Sequence, residues 1–304
     1  MSKITITMLG TSAGMPTKER SHPAVYFDHN DEEKFCCLFD CGEGTQRQLS
    51  LADINIMKID HIFITHWHGD HFFGLPGILD TMGFEGRTKP LNIYAPEPGM
   101  VKKISGLSRS LRKIKIKVHA VSSRGRNVKR LVKTERFDIV SVPVKHSRPA
   151  VAYAFLEKDK VSIDLEKAQA WGLPGKGEIY RKLKKKGKLF LDGKKVLLED
   201  VSATKKGKKI VYSGDTEMCN NLKRFVSVAD LLVQDCTYFN EDVSEKIYRH
   251  ASLDEIGKMA LAQKVKRVIL THISGRYHDP DYLKTLAGKY PKFEIAYDFM
   301  KIVL

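Results

Sequence analysis

Between residues 61 and 75 the chain reads HIFITHWHGDHFFGL, and three histidines and an aspartate (His66, His68, Asp70, His71) fall within six residues. Imidazole nitrogens combined with a carboxylate suit zinc or a similar borderline divalent cation. The apolar run Ile62, Phe63, Ile64 stops at Thr65, the pattern of a strand that carries donors at its end. Alternation along an extended segment places His66 and His68 on one side, as one ion requires. Gly69 then lets the chain turn, so that Asp70 and His71 face a second ion from the start of a helix. A lone histidine is ordinarily a surface residue or a hydrogen-bonded core residue. Four donors at one strand end call for a metal.

Around this stretch the sequence alternates strands with helices. Residues 4–9 alternate apolar and polar side chains, and 10–16 form a small-residue loop. Residues 25–28 and 35–40 read as a hairpin around the polar turn 30–33, and Asp40 stands beside Gly42 and Gly44 like a turn-forming aspartate. A helix is expected over 45–51 and another from near His71. Strands follow at 91–94, 114–118, 137–144 and 151–156, with His146 in the loop between the last two. Further strands at 210–212, 231–234, 268–270 and 293–296 are separated by helices near 220–227 and 253–264. Such alternation implies an α/β protein in which sheet is covered by helix. No internal repeat is visible.

With 304 residues, 42% of them hydrophobic, the chain can bury one large core or two small ones. It has no apolar run long enough to span a bilayer and no charged-then-apolar leader, so a soluble, cytoplasmic protein without a membrane partner is expected. The five cysteines, Cys36, Cys37, Cys41, Cys219 and Cys236, have no paired spacing and read as reduced thiols. The net charge of +16 is concentrated. Residues 102–136 hold thirteen Lys or Arg against Glu135 alone, and 156–209 hold sixteen against eight acids, leaving the rest of the chain net negative. Two basic stretches on a mildly acidic body point to a polyanionic partner. Neither has the apolar face that membrane-surface attraction would use.

Residues 156–200 differ in character from what surrounds them. A short helix over 164–171 is stopped by Gly172 and Pro174, and a hairpin turns at Asp192-Gly193. Between these two elements lies a patch of Gly, Pro and Lys, which suits a protruding, flexible arm inserted into the single domain 1–304.

HWHGDH fits the His-x-His-x-Asp-His signature of the metallo-β-lactamase superfamily. Within it the chain resembles the ribonuclease Z family, through LGTSAGMPTKER at 9–20, FDCGEGTQRQL at 39–49, HGDHFFGLPGIL at 68–79, SGDT at 213–216 and LTHISGRY at 270–277. The resemblance implies an αββα sandwich of two mixed sheets between helices. It implies a zinc-dependent endoribonuclease that removes the 3′ trailer of precursor tRNA by two-metal-activated hydroxide attack and leaves a 3′-hydroxyl. Two zinc ions per subunit are implied, with manganese able to replace them. The first would take His66, His68 and His146, the second Asp70, His71 and His272, with Asp215 bridging. Asp40 would support a ligating histidine from behind, as an alternative to its turn-forming reading.

Asp70 can both ligate and orient the nucleophile, which suits it to the role of general base, and the resemblance gives His250 that of proton donor to the leaving 3′ oxygen. The acidic partner of that histidine lies in a His-Glu-Ala-Thr segment in the family. Here it reads Gln234-Asp235-Cys236-Thr237, so Asp235 replaces the glutamate one methylene shorter, and Ala251-Ser252 replaces the Ser-Thr after the histidine. A competing reading makes His250 the cap of the following helix. The family's Pro-x-Lys-x-Arg element is present at 16–20, followed by Ser21 in place of Asn. Its Lys18 and Arg20 would sense the acceptor end, CCA included, or contact phosphates. The arm resembles the tRNA-binding arm of the family, with its Gly-Pro-rich run partly kept at 173–177. Lys176, Arg181, Lys182, Lys184, Lys185 and Lys186 would then meet RNA, and a homodimer would let one subunit's arm hold tRNA for the other's site. The rivals are a small-molecule phosphodiesterase on the same scaffold and an RNA-binding protein with a relict site.

Overall fold

The computed structural model of the protein describes residues 3–107, 114–191, 193–239 and 249–304. Two seven-stranded mixed sheets form its centre. The first has the order Lys301–Val303, Lys3–Gly10, Ala24–Asn30, Phe35–Phe39, His61–Phe63, Leu91–Ala95, Ile116–Ala120. The second has the order Lys129–Lys133, Phe137–Val144, Ala150–Glu157, Lys209–Tyr212, Leu231–Asp235, Val268–Thr271, Phe293–Ile295. In both, three antiparallel pairings are followed by three parallel ones. The two sheets thus share one pairing plan that the sequence, read for repeats, does not reveal.

The sheets pack face to face through aromatic side chains. Phe27, Phe39 and Phe63 of the first meet Phe137, Tyr153, Phe155 and Tyr212 of the second, with Phe27 and Phe155 at 4.8 Å between ring centroids. Each such side chain removed from water contributes about 1.5–3 kcal/mol. On the outer face of the first sheet Leu38, Ile62 and Ile93 are covered by Leu49 of the helix Thr45–Leu51 and by Ile78 and Met82 of Leu75–Phe84. On the outer face of the second, Val140, Val211 and Leu232 are covered by Leu222, Ile256 and Leu283 from the helices Asn220–Phe225, Leu253–Ala262 and Pro280–Ala287. This helix–sheet–sheet–helix sandwich explains why Phe137–Val144 is buried at every residue. The elements that the sequence did not disclose include the short edge strands Lys129–Lys133 and Lys301–Val303, which have one neighbour each.

A smaller module projects from the second sheet. Its stalk pairs Lys160–Ile163 with Ser202–Lys205. Beyond the stalk stand the helix Leu165–Ala170, capped by Asp164, the helix Glu178–Lys186, and the hairpin of Lys188–Leu191 with Lys194–Leu197. Asp192, expected at the turn of that hairpin, lies outside the described residues, as do positions 108–113 of the first basic stretch. Ala168, Leu173, Leu183, Val196 and Val201 give the module a core of its own. Its paired stalk spans 160–205, while Leu156 and Glu157, at the start of the inserted arm expected over 156–200, lie in a strand of the large sheet. The lysine-rich patch expected to be irregular holds a helix over 178–186. Ile179, Tyr180 and Leu183 recur at helical spacing, Glu178 and the terminal lysines suit the helix dipole, and Gly187 (φ 71°) ends it. No helix among the described residues is long and apolar enough to cross a membrane, and all five cysteines are free.

Candidate metal centre

The chemistry-bearing residues lie just beyond the carboxyl ends of strands in both sheets, where open α/β sheets bind ligands. Asp40 follows Phe35–Phe39, His66 to His71 follow His61–Phe63, and His146 follows Phe137–Val144. Asp215 follows Lys209–Tyr212, Asp235 ends Leu231–Asp235, and His272 follows Val268–Thr271. The backbone is bent hard to achieve this: Asp40 (φ 57°) and His272 (φ 58°) both occupy the left-handed region. Gly214 does so too (φ 56°), and a Cβ there would lie 2.7 Å from the Thr65 side chain. Gly69 begins the helix Gly69–Phe72 after the extended His68, and a Cβ there would fall 2.4 Å from the ring of Phe73.

Two donor sets converge and share one carboxylate. In the first, His66 Nε2 and His146 Nε2 lie 2.9 and 3.0 Å from His68 Nδ1, and Asp215 Oδ2 is 3.7 Å from His66 Nε2. In the second, Asp215 Oδ2 is 3.2 Å from both His71 Nε2 and His272 Nε2, while Asp70 Oδ2 is 3.5 and 3.4 Å from the same two nitrogens. Within each set all facing atoms lie within 4.8 Å of one another. The structure thus brings together all seven residues expected as ligands.

A divalent cation fits these sets on physical grounds. His71 Nε2 is buried and makes no hydrogen bond although Asp215 Oδ2 stands beside it, the arrangement of two donors to a common ion. Burial opposes charge on His71 and His272, yet Asp215 and its neighbouring carboxylates raise His71 well above the ordinary histidine range and His272 to about 10. The carboxylates demand positive charge there, and a metal would supply it in place of protons. His66, His68 and His146, lowered mainly by burial, are held neutral, the form that ligates.

Four of the five imidazoles, all but His68, are also held from behind, which fixes the nitrogen each presents. Asp40 Oδ2 bonds His71 Nδ1 at 2.8 Å, and the same carboxylate accepts from Thr65 N (2.7 Å) and Tyr212 OH (2.8 Å). Thr65 Oγ1 meets His66 Nδ1 at 3.0 Å, the Arg249 carbonyl meets His146 Nδ1 at 3.2 Å, and Thr237 Oγ1 meets His272 Nδ1 at 2.8 Å. Sequence reasoning does not find Thr65, Tyr212 or Thr237 as site residues. Thr65 adjoins the histidine motif, but nothing local marks Tyr212, which reaches Asp40 from the opposite sheet.

His250 Nδ1 lies 2.7 Å from Asp235 Oδ2, and its ring stacks on His272 with centroids 5.1 Å apart. Asp235 also accepts from the amides of Thr216 and Thr237, so its oxygens are taken up by protein groups. Burial lowers the His250 pKa, but Asp235 outweighs it and the net shift is upward. His250 does not cap the helix that follows. That place is filled by Ser252, whose amide and hydroxyl pair with Glu255 in a capping box.

The loop 11–22 closes one side of the site, with Gly14 N donating to Asp70 Oδ2 at 3.0 Å. Lys18 is exposed. Arg20 is turned inward, donating to Thr11 Oγ1 (2.8 Å) and the Ala296 carbonyl (2.6 Å), so it braces the loop. Lys176, Arg181, Lys182, Lys184, Lys185 and Lys186 are all exposed on the projecting module.

The sandwich and its paired donor sets at the strand ends define a metal-dependent hydrolase of the metallo-β-lactamase fold. The chain is 37% identical to a ribonuclease Z of Methanococcus maripaludis over 98% of its own length and 94% of that protein's. It is 39% identical to a ribonuclease Z of Thermococcus kodakarensis, covering 92% and 87%. The crystal structure of the short form of human tRNase Z superimposes with a TM-score of 0.69 at 26% identity, covering 98% of each chain. Residues 4–161 match the family model described as anti-Pycsar protein Apyc1. The chain belongs to the ribonuclease Z family and is a metal-dependent endoribonuclease.

Proposed function

We propose that the protein removes the 3′ trailer of precursor tRNA, using two zinc ions per subunit, and leaves a 3′-hydroxyl on the tRNA. The observation that carries this reading is the pair of donor sets sharing Asp215 Oδ2, in a chain matched by ribonuclease Z along nearly its whole length. Borderline nitrogen and oxygen donors suit zinc, and manganese can take the same places. Zinc, when bound, supplies Lewis acidity at a phosphoryl oxygen and acidifies a water toward a pKa of about 7.

The residues of the chain supply the rest. Asp70, with one oxygen fixed by the Gly14 amide, orients the attacking water and takes its proton. As water adds to phosphorus, the bond to the 3′ oxygen breaks, and His250 donates the proton that oxygen needs. Asp235 occupies Nδ1 of that imidazole, so Nε2 is the nitrogen offered to the RNA. Asp40 holds His71 so that its Nε2 faces Asp215 Oδ2, where it would help to hold a metal ion.

The module 160–205, with Lys176, Arg181, Lys182, Lys184, Lys185 and Lys186 exposed, is the natural grip on a tRNA body. Lys18 stands on the loop beside the site as a phosphate contact; the inward Arg20 supports that loop. We take the enzyme to act in the cytoplasm as a homodimer, each arm serving the partner's site. A small-molecule phosphodiesterase would use the same centre. The match to the anti-Pycsar protein Apyc1 model ends at residue 161, just inside the stalk of the module.

Joining Asp159 to Lys206 by a short Gly-Ser bridge removes the module without touching a ligand. These residues already meet, with Lys206 Nζ 2.6 Å from Asp159 Oδ2. The shortened protein is expected to keep its metal and its hydrolysis of an aryl phosphodiester while losing precursor-tRNA cleavage through weak binding. Unchanged binding and cutting of precursor tRNA would refute the arm's role.

A further inference from the structure

Two hollows lie side by side on the outer flank of the second sheet, between the helix Asn220–Phe225 and the segment 123–129. They share Arg126, Asn221 and Arg224 in their walls and have volumes of about 730 and 790 Å³. One reaches Lys145 and Met218, next to His146 and three residues past Asp215. The other reaches Leu156 and Lys209, where the chain leaves the large sheet for the projecting module and returns from it. Together they make one groove along the strand Phe137–Val144, from the rim of the metal centre to the root of the module. From Val140 to Lys145 that is about 17 Å at the ordinary rise of ~3.3 Å per residue.

Six cations line it: Arg126, Lys129, Lys145, Lys209, Lys223 and Arg224. None of the residues lining either hollow is acidic. Glu217 pairs with Lys145 from outside the groove at 3.6 Å, and Lys209 Nζ donates to the Ser227 carbonyl at 2.8 Å. The floor is apolar, built from Val140, Val142 and Val144. The two sides are tied across it: Asn221 Nδ2 donates to the carbonyls of Gly125 (3.0 Å) and Pro143 (2.9 Å), and Arg224 Nη2 donates to Asn221 Oδ1 (3.0 Å). Like charges gathered without acids repel one another until an anion neutralises them. A linear track of them, joined at one end to a phosphodiester-cleaving centre, matches a chain of phosphates.

We infer that this groove binds the sugar–phosphate backbone of the RNA substrate near the cut, as a second point of attachment distinct from the module. The inference rests on the function proposed above. Backbone contacts of this kind set the register of the substrate without reading its bases.

The test is the full-length, metal-loaded triple variant Arg126→Ala/Lys129→Ala/Lys223→Ala, with 3′-extended precursor tRNA as probe and metal content as the check on the fold. All three side chains are exposed. Cleavage should show KM raised about tenfold or more at 50 mM salt, with the difference narrowing toward 200 mM. The slope of log affinity against log salt should flatten by roughly 2, at 0.7–0.9 for each phosphate no longer neutralised. Wild-type cleavage accompanied by unchanged KM and slope in the variant would overturn the groove alone. If the wild type binds precursor tRNA without cutting it, and the variant binds more weakly with the flattened slope, the groove stands and the endonuclease reading falls.

Discussion

Asp215→Ala is expected to strip the protein of bound metal and to abolish RNA cleavage. Its Oδ2 is the one atom common to both donor sets, within 3.7 Å of His66 Nε2 and 3.2 Å of His71 Nε2 and His272 Nε2. Without it each set drops to three protein donors, and the imidazoles crowded around it lose the charge that lets a cation settle among them. The residue is 3% exposed, so solvent cannot substitute freely for the missing carboxylate. Elemental analysis of gel-filtered protein should find close to two metal ions per wild-type chain and far fewer in the variant. Full occupancy with normal cleavage would remove Asp215 from the site.

The second large effect is expected at His250. If it donates the proton to the leaving 3′ oxygen, His250→Ala should slow RNA cleavage by about 10²–10⁴-fold. An aryl phosphodiester has a leaving group that departs without protonation, so its hydrolysis should fall much less. That asymmetry separates proton donation from support of the metal centre, since a damaged centre would slow both substrates equally. Asp235→Asn should show the same asymmetry in milder form. The carboxylate orients the imidazole through the 2.7 Å contact to Nδ1 and favours its charged state, and an amide does the first imperfectly and the second not at all.

How much of this could be read in the sequence depends on how local each cause is. Metal donors that must converge at one strand end leave a dense signature, and HWHGDH is such a signature. His146, Asp215 and His272 carry no such mark of their own and are legible only through their order after it, as the resemblance supplies it. Their convergence depends on six strands that end on one side, in pairings such as Asp235 with Thr271 that alternation does not specify. The support of Asp40 by Tyr212 joins two sheets across 172 positions of sequence, beyond the reach of any local pattern. Sequence could not decide whether Arg20 faces solvent or protein, because its partners Thr11 and Ala296 are brought there by the fold. The helix Glu178–Lys186 is hidden by its lysines: only three of its nine residues are apolar, and they cover a core that forms only when the whole module folds. The basic groove has the same origin, since Arg126 and Arg224 face each other across a strand that neither belongs to.

The central claim is tested most directly by incubating the zinc-loaded protein with a 3′-extended precursor tRNA and mapping both product ends. The tRNA product should end in a 3′-hydroxyl just 3′ to the acceptor stem and the trailer should begin with a 5′-phosphate, because hydroxide enters at phosphorus while the 3′ oxygen leaves. A precursor left intact by fully metallated protein, or one cut to a 2′,3′-cyclic phosphate, would contradict the account.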